Sequence, residues 1–171
     1  HFRGGMVTQS PLEVLRSVPI LSNVPESDLV ALAQASRERS YPAGQVILRQ
    51  DAPGDAMYVV IEGRVKVVLI GEDGREVILS VLGPGAVFGE MALLDDAPRS
   101  AHVIAMTQCH VMTLYRGAFH ERLRASPDLC LAMLAALSSR LRLADERIRA
   151  LSLLDVNGRV AHLLLQQSAE A

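Results

Sequence analysis

The chain lacks tryptophan, and cysteine occurs only twice, at Cys109 and Cys130. Two cysteines cannot form the disulfide framework that supports small secreted domains, and their spacing is not that of a structural zinc site. We therefore expect two reduced thiols in a protein of the cytoplasm.

Long apolar runs and an excess of one charge are missing as well. The longest unbroken apolar run covers nine residues, 129–137, whereas a membrane-spanning helix needs about 20. The formal net charge is −2, which argues against a large nucleic-acid-binding surface, because such a surface needs an excess of Lys and Arg. With 171 residues, half of them hydrophobic, the chain fits one folded domain with an appendage, and we expect no membrane partner.

Between Tyr41 and Tyr115 the sequence contains short β-rich segments separated by glycine-containing turns. The clearest hairpin joins two such segments through the turn GEDGR at 71–75. Short strands at this spacing are typical of an antiparallel sandwich or barrel. The predicted strands are 45–50, 57–62, 64–70, 76–81, 100–105 and 110–115.

The segments on either side have helical patterns. Short helices are predicted over 11–18, 25–36 and 116–125. Ser126-Pro127-Asp128 then supplies an N-cap, a first-turn proline and an acidic residue for a long helix. We expect this helix to end at about Asn157-Gly158, and a new amphipathic helix with Asp155 as N-cap to form within 153–167.

Apolar residues of the long helix recur in alternating steps of four and three, which is the spacing of a coiled-coil seam. A helix that packs only on its own barrel is the simpler alternative, but the stripe is narrow and long, so we expect a parallel homodimer through residues 126–153. The seam residues are Cys130, Leu134, Leu137, Leu141, Ala144, Ile148 and Leu151.

One segment, FGEMALLDDAPRSA at 88–101, breaks the strand pattern. Its first half predicts a single helical turn, whose N-terminal N–H groups suit an anion. Nine residues after Glu90 comes Arg99, whose planar guanidinium can bind phosphate oxygens in a bidentate manner, and Ser100 adds a hydroxyl. A surface turn with a weak Arg–Glu pair is the alternative, but the combination favours a ligand that carries both a phosphate and sugar hydroxyls.

This segment strongly resembles the phosphate-binding cassette of cyclic-nucleotide-binding domains, with the consensus FGE-x-A-L-(several)-PR-x-A. The stretches VILSVLGPGAVFGE, SPDL and LSLLDVNGRVAHLLL resemble the Crp/Fnr (catabolite activator) family of bacterial transcription regulators. The resemblance implies a double-stranded β-helix, or jelly roll, over 6–125 and a dimerisation helix over 126–153. It also implies that 154–171 are the hinge and first helix of a truncated winged helix-turn-helix DNA-binding domain. Residues 1–5 (HFRGG) resemble a cloning remnant and are left out of the fold.

The resemblance also implies a ligand and a mechanism. cAMP would bind the barrel and shift the long helix and hinge, which would control DNA binding by the missing domain, with RNA polymerase as a further candidate partner. Glu90 would hold the ribose 2′-hydroxyl, Arg99 and Ser100 the cyclic phosphate, and Arg140 stands where relatives pair an arginine with the cassette glutamate. The expected ligand-binding residues are Leu79, Ser80, Gly89, Glu90, Met91, Ala92, Arg99, Ser100, Ala101, Arg140, Ala144 and Asp145.

The sequence departs from the family where the base is recognised. The catabolite activator uses a threonine–serine pair on the long helix for adenine, one residue from each subunit, and Ala144 and Asp145 occupy those positions here. Ala144 offers no hydroxyl, whereas Asp145 can accept a hydrogen bond from the adenine amino group or from guanine N1–H and N2–H. From the family's general preference, we expect the effector to be cAMP rather than cGMP. Cyclic di-GMP, haem or an empty pocket remain alternatives.

An enzyme built on a jelly roll is the alternative from another functional class. Such a metalloenzyme needs clustered His ligands, usually His-x-His on a strand. The histidines at 102, 110, 120 and 162 are scattered, and the neighbours Cys109 and His110 point to opposite faces of a strand. The sequence contains no nucleophile–base arrangement and no N-terminal cysteine cluster for an iron–sulfur centre, so we expect neither enzyme activity nor a metal.

Overall fold

The computed structural model describes the backbone of residues 9–169 and the side chains of 9–153, 156, 158 and 160. The chain divides into two units, one up to Ala132 and the other from Met133 onward. The expected cloning remnant at 1–5 lies outside the described residues.

Two short helices precede the sheets, as predicted. The first, α1 (Pro11–Arg16), begins with a capping box: Ser10 Oγ accepts from the Glu13 amide at 3.3 Å, and Glu13 Oε2 accepts from the Ser10 amide at 2.9 Å. These bonds satisfy two N–H groups that a helix start leaves without partners. A 3₁₀ turn at Pro19–Leu21 leads to α2 (Glu26–Ala35).

Eight antiparallel strands form two four-stranded sheets, in the orders β1-β8-β3-β6 and β2-β7-β4-β5. Two facing sheets of four strands are the jelly roll that the resemblance implied. All six predicted strands are present, and the hairpin of β4 and β5 is confirmed in register from Val65–Leu82 to Ile70–Glu76. The strands are β1 (Arg37–Tyr41), β2 (Val46–Leu48), β3 (Ala56–Glu62), β4 (Val65–Ile70), β5 (Glu76–Leu82), β6 (Val87–Phe88), β7 (His102–Ala105) and β8 (Cys109–Tyr115).

The sequence patterns missed two strands, β1 and β6. Of the β1 residues RERSY, only Tyr41 is buried, so no apolar alternation marks this strand. Its pairing with β8, from Arg37–Thr113 to Tyr41–Cys109, orders it instead. Strand β6 has only two residues and pairs with the middle of β3, which is too short for any periodic pattern.

The main core lies between the two sheets. Its side chains come from alternate positions of β3 and β8 together with inward residues of the other strands, as expected for facing pleated sheets. The core residues are Tyr41, Ala56, Tyr58, Val60, Val65, Phe88, Val103, Ala105, Cys109 and Val111.

Helix α3 (Arg116–Ala125) follows β8 directly, and a buried polar network ties its end to α2. The carboxylate of Asp28, which is 1% exposed, accepts from Arg122 Nε at 2.5 Å and from Ser126 Oγ at 2.8 Å. Ser126 Oγ in turn accepts from the Leu129 amide at 3.2 Å, which confirms Ser126 as the predicted N-cap of the long helix.

The long helix, α4, runs without interruption from Pro127 to Ala169. The predicted end at Asn157-Gly158 and the new helix starting at Asp155 are therefore wrong. Asn and Gly cost only about 0.5–1 kcal/mol each inside a helix, whereas proline, which this stretch lacks, costs about 3 kcal/mol. The side chain of Asp155 lies outside the described residues, and the assignment of 154–171 to a hinge and a DNA-binding helix stays a prediction.

The apolar seam of α4 is largely exposed beyond the first turns. Leu134, Leu141, Ile148 and Leu151 are each more than 60% exposed, whereas Leu137 is half-buried. No described helix has both the length and the hydropathy that crossing a membrane requires. The dimer predicted from this seam stays a prediction.

Candidate ligand-binding site

The segment that breaks the strand pattern forms a 3₁₀ turn over Glu90–Leu93, directly after β6. This confirms the predicted helical turn between strands. Gly89 precedes the turn with φ +71°, a left-handed conformation that glycine adopts without strain. A side chain at this position would also collide with Arg99, because a Cβ would lie 2.4 Å from Arg99 Nη1.

Arg99 lies against this turn and is only 7% exposed. Its Nη2 donates to the Ala56 carbonyl at 2.7 Å and its Nη1 to the Gly89 carbonyl at 3.3 Å. Two backbone bonds fix its main chain to the loop before β3: the Arg99 amide donates to Ala52 O at 2.9 Å, and the Asp51 amide donates to Arg99 O at 2.8 Å. Hydrogen bonds therefore fix Arg99 at both ends, at its main chain and at its guanidinium.

The charge of Arg99 has no carboxylate partner among the residues that the structure describes. None of the ion pairs among the described residues includes Arg99, and its buried Nε has no hydrogen-bond partner in the described part of the chain. A buried cation without a counter-charge is costly. The geometry therefore favours an anion as the missing partner.

Aromatic rings support the guanidinium from the core side. Its Cζ lies 5.7 Å from the centre of the Tyr58 ring, and Tyr58 stacks on Phe88 with ring centres 5.1 Å apart. Burial raises the pKa of the Tyr58 hydroxyl to about 12, although the nearby Arg99 charge opposes the rise. The ring therefore stays neutral at physiological pH and offers its π-face to the cation.

A cavity of about 330 Å³ opens beside Arg99, at the lower end of the range for small-molecule sites, about 300–1,000 Å³. A larger depression of about 470 Å³ lies elsewhere, but its charged residues, Lys66 and Glu76, are paired with each other. We therefore take the smaller cavity as the candidate site. Its lining consists of Gly89, Glu90, Met91, Ala92, Asp95, Ala97, Pro98, Arg99 and Ser100.

The cavity brings together half of the residues expected from the sequence, namely Gly89, Glu90, Met91, Ala92, Arg99 and Ser100. Three others from the barrel do not line it. Leu79 and Ser80 are exposed on β5, and Ala101 is buried next to β7. Their contribution to a site stays a prediction.

The remaining three expected residues, Arg140, Ala144 and Asp145, lie on α4 in the second unit and are exposed. Their roles in binding also stay predictions. Among the described residues, no group of three His, Cys, Asp or Glu side chains comes close enough together to hold a metal ion.

Sequence reasoning missed the groups that hold the site from outside the motif. The Ala56 carbonyl that accepts from Arg99 belongs to β3, and Gly54 packs so closely that an added Cβ would lie 3.0 Å from the Ala92 Cβ. Arg116 and His120 of α3 contact the turn from its far end. A backbone carbonyl is present in every residue and therefore gives no sequence signal, and Gly54 resembles any other glycine in a turn.

Comparison with known proteins places this site in a family. The model of the cyclic nucleotide-binding domain matches residues 38–126. A CRP-like cAMP-activated global transcriptional regulator of Mycobacterium tuberculosis is 32% identical over 154 residues, which cover 90% of this chain and 69% of the relative. The cyclic AMP receptor protein of Thermus thermophilus is 37% identical over 142 residues, covering 83% of this chain and 65% of the relative.

A solved structure, the N-terminal domain of a transcriptional regulator from Streptomyces coelicolor, matches with a TM-score of 0.73 and 32% identity. The match covers 79% of this chain and 94% of that domain. The chain spans about two thirds of the length of the two regulators compared above.

The close approach of Gly89 to Arg99 can be tested with a pair of glycine variants. Gly89→Ala and Gly85→Ala both place a side chain at positive φ, which costs about 1–2 kcal/mol, but an added Cβ at Gly85 meets nothing within 4 Å. Gly89→Ala should therefore lower the free energy of unfolding by about 1 kcal/mol more than Gly85→Ala, because it also displaces a hydrogen-bonded guanidinium. Urea unfolding followed by circular dichroism measures both; equal losses would contradict the packing described here.

Proposed function

This chain belongs to the Crp/Fnr family of cyclic nucleotide-binding transcription regulators, and we propose that it is the effector-binding and dimerisation part of a cAMP-responsive member. The observation that carries the proposal is the buried Arg99, which has no ion-pair partner among the described residues and lines a cavity together with Glu90 and Ser100. A cyclic phosphate would supply the missing anion and an acceptor for the Nε–H.

The other cavity residues suit the sugar. Glu90 lies on the same cavity, and a carboxylate there would accept from the ribose 2′-hydroxyl. Ser100 would add a hydroxyl donor to the phosphate, and the backbone of Gly89 and of Met91 or Ala92 would add amide donors. The names of the relatives, which include cAMP-activated and cyclic AMP receptor proteins, support cAMP as the first ligand to test.

Removing the guanidinium should abolish most of the binding. We expect Arg99→Ala to weaken cAMP binding by at least about a hundredfold and Arg99→Lys by about tenfold, because lysine keeps the charge but loses the bidentate geometry. Isothermal titration calorimetry measures the affinities, with Arg75→Ala as control, since the Arg75 side chain is 87% exposed on the β4–β5 turn. An Arg99→Ala variant within twofold of the parent would remove Arg99 from the site.

We propose that the purine base of the nucleotide contacts α4 at Ala144 and Asp145, the positions that match the family's pair of base-recognition residues. Because Ala144 lacks a hydroxyl, Asp145 would carry the discrimination between adenine and guanine. We expect Asp145→Ala to change the ratio of cAMP to cGMP affinity by about tenfold, the effect of one hydrogen bond to a charged group. Glu146→Ala, which removes the neighbouring carboxylate, should leave the ratio unchanged; an unchanged ratio in Asp145→Ala as well would end this assignment.

A homodimer through 126–153 would bury the exposed seam of α4. Leu141 lies on the seam and is 66% exposed, whereas Leu143 lies off it and is 48% exposed, so the two form a matched pair. Leu141→Glu should raise the dimer dissociation constant by at least about a hundredfold, because each copy loses the burial of a leucine. Leu143→Glu should change it little. Analytical ultracentrifugation distinguishes the two, and equal effects would contradict this seam.

We further propose that ligand binding shifts the population of helix arrangements and so controls DNA binding by the domain to which the hinge and helix predicted at 154–171 would belong. A ligand shifts such an equilibrium only through its different affinity for the two states. Since α4 continues through 154–157, transmission would run along a continuous helix. The two free cysteines fit the cytoplasmic location expected for such a regulator.

A further inference from the structure

Arg116, the first residue of α3, holds the far end of the 3₁₀ turn. Its Nη1 lies 2.7 Å from the Asp95 carbonyl, 2.9 Å from the Gly54 carbonyl and 3.4 Å from the Ala92 carbonyl. The Arg116 amide also donates to Asp55 O at 2.7 Å. One cationic side chain thus joins the turn to the loop before β3, the two segments between which Arg99 lies.

His120, one helical turn further along α3, makes a second contact with the same end. Its Nε2 lies 2.7 Å from the Leu93 carbonyl. Because a carbonyl can only accept, Nε2 carries the hydrogen and donates. His120 is half-buried and its neighbour Phe119 is fully buried, so α3 presents this donor from a fixed position.

These contacts matter because the turn is too short to be stable alone. Four residues form few internal hydrogen bonds, and a turn of this length keeps its shape only through contacts with its surroundings. Cationic and N–H donors at its C-terminal end satisfy the carbonyls that would otherwise lack partners. Neither Arg116 nor His120 is among the residues that line the cavity, so any effect they have on a ligand there acts through the turn.

We propose that Arg116 and His120 are positioning residues for the cyclic-nucleotide site: they keep the turn in the shape that binds the anion, without touching the ligand. The expected effect on ligand affinity rests on the proposed function. The expected effect on the order of the turn does not. The contact with Asp96 contributes little, because Asp96 is 91% exposed. The carbonyl contacts carry the effect.

Hydrogen exchange tests the positioning role without any ligand. The amides of Leu94 and Asp95 both donate to the Met91 carbonyl, so their exchange rates report whether the turn is formed. Arg116→Ala and His120→Leu should each speed exchange of these two amides by about tenfold relative to the parent, as expected when a hydrogen bond to the turn is lost. Amides in the barrel core, such as Val59 and Val111, should keep their rates.

Affinity for cAMP, measured on the same variants by calorimetry, tests the consequence for binding. Arg116→Ala should bind about tenfold more weakly, and His120→Gln, whose amide nitrogen can still donate to Leu93 O, should recover most of the loss seen in His120→Leu. Arg124→Ala, which removes an exposed arginine of the same helix, and Asp96→Ala should both bind like the parent.

The outcomes separate the two proposals. If the parent chain does not bind cAMP, the proposed function fails, and the exchange rates still decide whether Arg116 and His120 order the turn. If the parent binds but Arg116→Ala and His120→Leu keep parental exchange rates and affinities within twofold, the positioning role is overturned. Faster exchange throughout the barrel would also overturn it, because it would indicate a general loss of stability.

Discussion

The candidate site depends on one buried cation. The guanidinium of Arg99 contacts Tyr58 and the carbonyls of Ala56 and Gly89, and none of the described carboxylates forms an ion pair with it. Burial of a charge is tolerated when hydrogen bonds and a partner compensate for lost hydration. Here the protein supplies hydrogen bonds to both terminal nitrogens of a residue that lines the cavity, while the buried Nε–H has no acceptor within the described part of the chain. A site arranged in this way favours the binding of an anion, which would balance the buried charge.

The rest of the barrel keeps that cation in place. Gly89 allows the turn to approach the guanidinium, and the loop at Asp51 and Ala52 fixes the Arg99 backbone. Helix α3 contacts the turn through the hydrogen bond from Arg116 to the Ala92 carbonyl. The same helix ends in the Asp28 network that caps α4. The turn at the site and the start of the long helix thus contact opposite ends of one ten-residue helix, α3.

Much of this could be predicted from local patterns, because glycine turns and apolar runs mark the strands and the motif marks Glu90 and Arg99. Strand β1 was missed since its order comes from pairing with β8, not from its own residues. The helix end predicted at Asn157-Gly158 was wrong because weak helix formers were read as breakers. The hydrogen bonds from Arg99 and Arg116 to backbone carbonyls are tertiary contacts between distant segments, and no sequence spacing reveals them.

The Nε–H of Arg99 can show directly whether this residue binds the cyclic phosphate. Its ¹⁵N–¹H resonance, assigned by its loss in Arg99→Lys, can be followed while cAMP or adenosine is added to the parent chain. We expect cAMP to move this resonance at saturation, because a phosphate oxygen becomes its hydrogen-bond acceptor, whereas adenosine at equal concentration should leave it in place. A resonance unchanged by cAMP would contradict the claim that this buried cation binds the cyclic phosphate.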